Sequence, residues 1–319
     1  MKAGIIGTGA VGAACALAMV LRGSARELVL VNKTRKKAEA VATDLRYGAA
    51  LAPIVDIYAG DYKDLAGAGL VMVTAGVNEK TGGATDRSDA SGRLKLFSVN
   101  ADIYRDIIPK VVGAAPEAII LIVTDPPDPL ADVTRELVKH DRVLSTGTYL
   151  DSLRFQTHLA KHFGVASSSV EAQVLGEHGT SEVFVWSKAR IAGMPVAHEL
   201  SRRGLDPAEF RKQIEGEVRY ANITIIEGND ASQYGIGIVS ARIAEAVLRD
   251  EHIAVPIGSY HQRYGVTFSL PSVVGRNGIA AVFEPDLEAE ELHALDASAE
   301  AIKKVEASYA APKSTPPQG

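Results

Sequence analysis

The sequence predicts an α/β protein: a doubly wound parallel sheet at the N-terminus, followed by a mixed α+β domain. Short apolar runs recur at Lys2–Ile6, Glu27–Val31, Ile54–Tyr58, Leu70–Thr74 and Ala118–Val123. They are too short for helices and lack polar alternation, as in strands buried on both faces. Between them lie stretches of helical periodicity, running to about Arg22 and then over Thr34–Arg46, Arg93–Gly113 and Asp128–Lys139. After about Thr146 the alternation breaks. A helix at Tyr149–Phe163 precedes strands around Glu171–Leu175 and Val183–Ala192, two helices between Pro207 and Leu248, and strands from Ala254 to Leu270. An amphipathic helix at Leu287–Ser308 comes last. The predicted division is 1–145 and 146–309, with the proline-containing, polar tail 310–319 expected to be disordered.

The first turn carries the strongest local signal. Gly7-Thr8-Gly9-Ala10-Val11-Gly12 follows a strand, opens a helix, and is followed by a second strand. This is the dinucleotide-binding (Rossmann) fingerprint in its required context. Its glycines permit the tight turn and let the backbone approach a pyrophosphate. The helix N-terminus then offers unpaired N–H groups to that charge. Gly7, Gly9, Ala10, Val11 and Gly12 are therefore candidate cofactor residues. The fingerprint normally ends in a carboxylate for the adenosine ribose; here the position is Asn32, followed by Lys33-Thr34-Arg35-Lys36-Lys37. NAD is the expected cofactor. Loss of the carboxylate beside added cations also opens the site to the 2′-phosphate of NADP. Alternatively, Lys36 and Lys37 only solvate the next helix.

Bulk properties exclude several classes. The 319 residues hold one large or two medium domains. A net charge of −5 lacks the basic excess of a general nucleic-acid binder. A lone cysteine, Cys15, excludes an internal disulfide. The apolar run to Leu21 resembles a signal peptide, but Gly7, Gly9 and Gly12 interrupt it and serve a nucleotide turn better. No other segment approaches the ~20 apolar residues that span a bilayer. A cytoplasmic protein with no membrane contact and no metal-ligand cluster is expected. Between Gly76 and Gly92 lies a polar, glycine-rich stretch without periodicity, expected to be a mobile loop over a site.

Further motifs carry a resemblance that covers nearly the whole chain. They are Gly7–Gly12, Val73-Thr74-Ala75-Gly76, Thr146-Gly147-Thr148-Tyr149-Leu150-Asp151-Ser152-Leu153-Arg154-Phe155, Gly176-Glu177-His178-Gly179, Tyr234-Gly235-Ile236-Gly237 and Arg276-Asn277-Gly278-Ile279. In this order they resemble the L-lactate/malate dehydrogenase family. The resemblance implies that His178 exchanges a proton with the substrate oxygen while hydride passes to or from the nicotinamide. It makes Asp151 the group that orients the imidazole. Arg154 then holds the substrate carboxylate by a two-pronged ion pair that lysine cannot copy. Thr74, Ala75, Gly76, Asn100 and Val123 join the cofactor residues. A loop arginine polarises the substrate carbonyl: Arg93 fits the pattern Arg93-Leu94-Lys95-Leu96 leading to Asn100, and Arg87 is the second candidate. Ser232 matches a pocket-lining position, or is an ordinary helix N-cap. The seven other histidines read as solvated. A homo-oligomer, dimer or tetramer, is also implied.

Three departures set the chain apart from the family. Glu79 stands where substrate is discriminated, and a carboxylate there repels the second carboxylate of malate or oxaloacetate. Asp125, in Thr124-Asp125-Pro126, replaces an Asn that touches substrate and nicotinamide ribose; an ionised Asp only accepts hydrogen bonds. Gln156 and Glu171 replace the cations that bind an activating sugar bisphosphate, so no such activation is expected. The leading reading is an NAD(P)-dependent L-2-hydroxy acid dehydrogenase, first of all lactate dehydrogenase-like, acting on a small 2-oxo or 2-hydroxy acid. The alternatives are malate dehydrogenase, a dehydrogenase for another 2-oxo acid, or a catalytically silent nucleotide-binding protein.

Overall fold

The computed structural model describes residues 1–77 and 92–310, with the side chains of 92–95 and 310 excepted. Glu79, Arg87, the side chain of Arg93 and most of the tail lie outside the described residues. Strands β1 (Lys2–Ile6), β2 (Glu27–Val31), β3 (Asp56–Ala59), β4 (Leu70–Val73), β5 (Ile119–Ile122) and β6 (Val143–Ser145) pair in parallel. Their spatial order is β3-β2-β1-β4-β5-β6, the doubly wound arrangement. The order reverses between β1 and β4, which opens a crevice at the carboxyl ends of the strands. Alternate residues of each strand enter opposite cores. Leu70 and Met72 pack with residues of α1 (Ala10–Arg22) and α2 (Arg35–Ala49). Val71 and Val73 pack with α3 (Gly92–Ala114) and α4 (Pro127–Val138). Burial of both parities explains why these strands read as unbroken apolar runs.

The second half departs further from expectation. Helix α5 (Tyr149–Phe163) lies where predicted. The two expected strands that follow are instead short pieces: β7 (Val170–Glu171), β8 (Val174–Leu175), β9 (Val183–Phe184), β10 (Arg190–Ile191) and β11 (Met194–Pro195). A 3₁₀ turn at Trp186–Lys188 interrupts the predicted run between β9 and β10. Beyond them come α6 (Val196–Arg202), α7 (Pro207–Arg219), α8 (Ala221–Asn229) and α9 (Tyr234–Arg249). The stretch expected to hold two helices holds three, because the chain breaks twice: at Tyr220 between α7 and α8, and at Asp230, whose left-handed conformation stops α8. Phe155, Phe184, Trp186 and Phe210 form the centre of a separate core here.

Strands β12 (Ile253–His261), β13 (Val266–Gly275) and β14 (Gly278–Val282) do not form a sheet of their own. They add antiparallel beyond β6, giving nine strands among the described residues. The last helix, α10 (Ala289–Ala310), contributes Leu295, Ala299 and Ile302 to the core behind β13. One histidine expected in solvent is buried there. His261 packs edge-on against Phe268, with ring centroids 5.3 Å apart. Burial lowers its pKa to about 4, so it is neutral.

Helices α1 and α9 approach closely because residue 237 is glycine. A β-carbon at Gly237 would lie 2.8 Å from the Ala14 carbonyl carbon and 2.9 Å from its oxygen. Neither backbone atom can yield without moving a helix. Gly237→Val should therefore lower unfolding free energy by about 1–3 kcal/mol, measured by urea denaturation; unchanged stability would show that the contact is slack.

Candidate active site

The crevice holds a cavity of about 370 Å³, walled on one side by Gly9, Ala10, Val11, Thr74, Gly76 and Val123. The three glycines of the first turn have separate jobs. Gly7 has φ +99°, and a β-carbon there would lie 2.8 Å from Ala75 N. A β-carbon on Gly12 would lie 2.0 Å from Gly7 O and 2.7 Å from Thr74 Oγ1. Thr74 Oγ1 donates to Gly7 O at 2.9 Å, tying β4 to the turn. Gly9 is different, since its missing β-carbon faces open space. Gly9 is also the N-cap of α1 and has no capping side chain, so the helix starts uncapped where Gly9, Ala10 and Val11 line the cavity. The cradle therefore fits a dinucleotide pyrophosphate, with Gly7 and Gly12 shaping the turn and Gly9 leaving room.

Asn32, at the end of β2, is spent locally. Its Oδ1 accepts the Thr8 N–H at 3.0 Å, and its Nδ2 donates to Thr34 O at 3.2 Å. Arg35 is engaged by Glu39, Asp61 and the carbonyl of Ala59. Lys37 instead lines the cavity.

His178, Arg154, Asp125 and Ser232 line the opposite wall. His178 Nδ1 lies 2.5 Å from Asp151 Oδ2, and the Asp151 side chain is 2% exposed. Arg154 Nη1 donates to the other oxygen, Asp151 Oδ1, at 2.9 Å. Asp151 and Arg154 are thus a helix ion pair on α5 and, at once, a bridge to the imidazole. The other ring nitrogen, His178 Nε2, lies 3.9 Å from Asp125 Oδ1. The ring is held between two carboxylates, one bonded tightly and one at longer range.

The His178 loop is anchored by its main chain. Gly176 has φ +82° and exchanges both backbone hydrogen bonds with Ser269. The next N–H, Glu177's, donates to Ser298 Oγ at 2.9 Å. His178 N–H donates to Asp128 Oδ2 at 2.7 Å.

Most of the sequence candidates meet in this cavity, but not all line it. Asp151 stands behind His178. Asn100 sits inside α3 rather than ahead of the helix body; its Oδ1 accepts the Val77 N–H at 2.8 Å and its Nδ2 donates to Asp125 O at 2.9 Å. It clamps the loops after β4 and β5. Ala75 lies between lining residues, half-buried. Ser232 lines the cavity, and the N-cap of α9 is Gln233, so the capping alternative does not hold. Gln156 Nε2 donates to Ala172 O at 2.9 Å, and with Glu171 it borders a separate groove of about 560 Å³.

Sequence reading missed Asn222, Leu150 and Ile236 on the cavity wall, and Asp128 behind it. Asn222 carried no distinctive signal, since its helix also holds the polar Thr224, Glu227 and Asn229. Asp128 carried only its place in the first turn of a helix, where an acid is ordinary.

A doubly wound sheet, a glycine cradle at its switch point and an imidazole across the cavity define a dinucleotide-dependent oxidoreductase. Residues 1–144 match the NAD binding domain of lactate/malate dehydrogenases, and residues 148–311 match their alpha/beta C-terminal domain. The chain belongs to the lactate/malate dehydrogenase family, and is an NAD-dependent oxidoreductase acting on a 2-hydroxy acid. It is 41% identical over 304 residues to an L-lactate dehydrogenase of Deinococcus radiodurans, covering 95% of this chain and 97% of that one. It is 42% identical over 311 residues to an L-lactate dehydrogenase of Thermus aquaticus, with the same coverage. The crystal structure of the minor L-lactate dehydrogenase from Enterococcus mundtii superposes with a TM-score of 0.88 at 32% identity, covering 96% of this chain and 98% of that one.

The separate roles of the glycines can be tested through cofactor affinity. Gly9→Val should leave the apo protein's melting temperature unchanged and weaken NADH binding by about tenfold or more, read by quenching of protein fluorescence. Equal NADH affinity would remove Gly9 from the cofactor site.

Proposed function

We propose that this protein interconverts pyruvate and L-lactate, with NADH and NAD as the redox pair and His178 as acid and base. One observation carries the reading: an imidazole bonded through Nδ1 to a buried carboxylate shares a cavity with a guanidinium and a glycine cradle. With Nδ1 committed to Asp151, Nε2 is the nitrogen left to exchange a proton with the substrate oxygen. Asp151 supports the imidazolium, as an orienting carboxylate does beside a catalytic histidine. Arg154 lies in the same wall and would take the substrate carboxylate, fixing the carbonyl relative to His178. The bound nicotinamide supplies the hydride in one direction and accepts it in the other. Arg93 is assigned the role of polarising the carbonyl, with Arg87 as second candidate.

Pyruvate is favoured over oxaloacetate because Glu79 adds a negative charge where a second substrate carboxylate would arrive. The cofactor choice extends to NADP: Asn32 offers no carboxylate against a 2′-phosphate, and Lys37 stands in the cavity wall. A cytoplasmic homo-oligomer, dimer or tetramer, completes the reading. Exposed Leu17 and Leu21 on α1, with Tyr234 and Ile238 on the adjoining α9, are apolar surface suited to a second copy. Among the described residues no helix is long and apolar enough to cross a membrane.

The deciding experiment is a panel of pyruvate, oxaloacetate, 2-oxobutyrate and bulkier or amino-bearing 2-oxo acids, each with NADH and NADPH. Pyruvate should give the highest kcat/KM, and NADPH should support measurable turnover. His178→Asn and Arg93→Ala should each lower kcat by about 10²–10⁴-fold, and Arg87→Ala far less. A preference for oxaloacetate, or full turnover without His178, would defeat the reading. Asp125→Asn removes a negative charge 3.9 Å from His178 Nε2. Pyruvate reduction needs the imidazolium, so the alkaline limb of its pH–rate profile should move down by about one pH unit. An unmoved limb would show that Asp125 does not act on His178.

A further inference from the structure

Asp128 lies in the first turn of α4 and is wholly buried. Both its oxygens are engaged: Oδ2 accepts the His178 main-chain N–H at 2.7 Å, and Oδ1 accepts Ser145 Oγ–H at 2.5 Å. Space for this arrangement exists because residue 258, on the neighbouring strand β12, is glycine. A β-carbon there would lie 1.8 Å from Ser145 Oγ and 2.7 Å from Asp128 Oδ1. A sealed carboxyl with two donors, one of them the backbone of the candidate catalytic histidine, is more than a core filler. An apolar side chain would need neither donor, and a surface acid would not be enclosed.

We infer that Asp128 is a positioning residue: it holds the main chain of His178 so that the ring meets Asp151, and its charge helps His178 keep its proton. The inference rests on the reading of His178 as acid and base. Titratable groups facing Asp128 are Glu177 and His178, both from the loop; Glu177 works against its charge and His178 in favour. One turn along the same helix, Asp132 is directed to Thr267. Burial pushes the Asp128 carboxyl up to about 7, against the pull of Ser145 and the His178 N–H. The group therefore ionises within the working range. As pH rises through that range Asp128 gains its charge, which opposes loss of the His178 proton. Removing the charge must move that proton loss to lower pH.

Two substitutions separate the parts. Asp128→Asn keeps an acceptor for the His178 N–H and abolishes the charge, whereas Asp128→Ala abolishes both. For pyruvate reduction, Asp128→Asn should keep kcat at its own optimum within about threefold, with pyruvate KM and NADH affinity unchanged. Its alkaline limb, and the NMR titration of the His178 ring, should both move to lower pH by about half a unit or more. Asp128→Ala should lose about tenfold or more in kcat with NADH affinity retained. An unmoved ring titration in Asp128→Asn overturns the inference. So does wild-type kcat in Asp128→Ala, or a deficit there that Asp128→Asn does not rescue. Should Asp128→Ala not fold, the ring titration in Asp128→Asn decides. His178→Asn assigns the ring resonance and keeps the two readings apart. Full turnover in that variant sinks the acid/base role itself, while an unmoved titration in Asp128→Asn sinks only the role of Asp128.

Discussion

The close seam between β6 and β12 is the constraint on which the rest of the molecule depends. It joins the parallel sheet of the N-terminal half to the antiparallel strands of the second half. Gly258 pairs with Ser145 there, and a side chain at 258 would strike Ser145 Oγ. Gly147, φ +52°, is equally confined: a β-carbon would lie 2.1 Å from Ser269 Oγ and 2.6 Å from Gly258 N. Ser269 Oγ accepts the Thr148 N–H, which starts α5, while the Ser269 backbone grips Gly176. One narrow joint thereby sets the position of both Asp151 and His178. The elements of the candidate site inherit their geometry from a place where only small side chains fit.

The candidate site is also organised by negative charge. Asp151 and Asp125 flank the His178 ring, and Asp128 grips its main chain. Arg154 offsets part of that charge through Asp151. Under the proposed role, these carboxylates favour the protonated ring, the form a carbonyl substrate requires from an acid. In that role Asp125 supplies a charge where an asparagine would supply only a dipole.

Much of the fold was legible because its signals are local. Parallel strands buried on both faces are apolar at every buried position, so β1, β2, β4 and β5 announce themselves. The glycine turn was legible for the same reason: tight backbone approach admits one residue type at Gly7 and Gly12. The second half hid more. Its strands of two residues leave no periodicity to read, and in the first half the three-residue β6 was hidden for the same reason. Nor could hydropathy show that β12 to β14 would continue the first sheet, since any exposed edge of either half could have accepted them. The burial of His261 follows from that placement.

The sequence by itself determined the class of fold and the glycine turn, and its motifs named His178, Asp151 and Arg154 as candidates. Each is specified by residue type at short spacing, or by motifs whose order is plain along the chain. It could not determine which polar groups become neighbours across long separations. The His178–Asp128 bond spans 50 residues, and Thr148–Ser269 spans 121. Buried polar groups are stable only when paired, and their partners arrive from other elements only once the sheet has closed. Asp128 therefore looked like an ordinary acid at a helix start, and became part of the site only through folding.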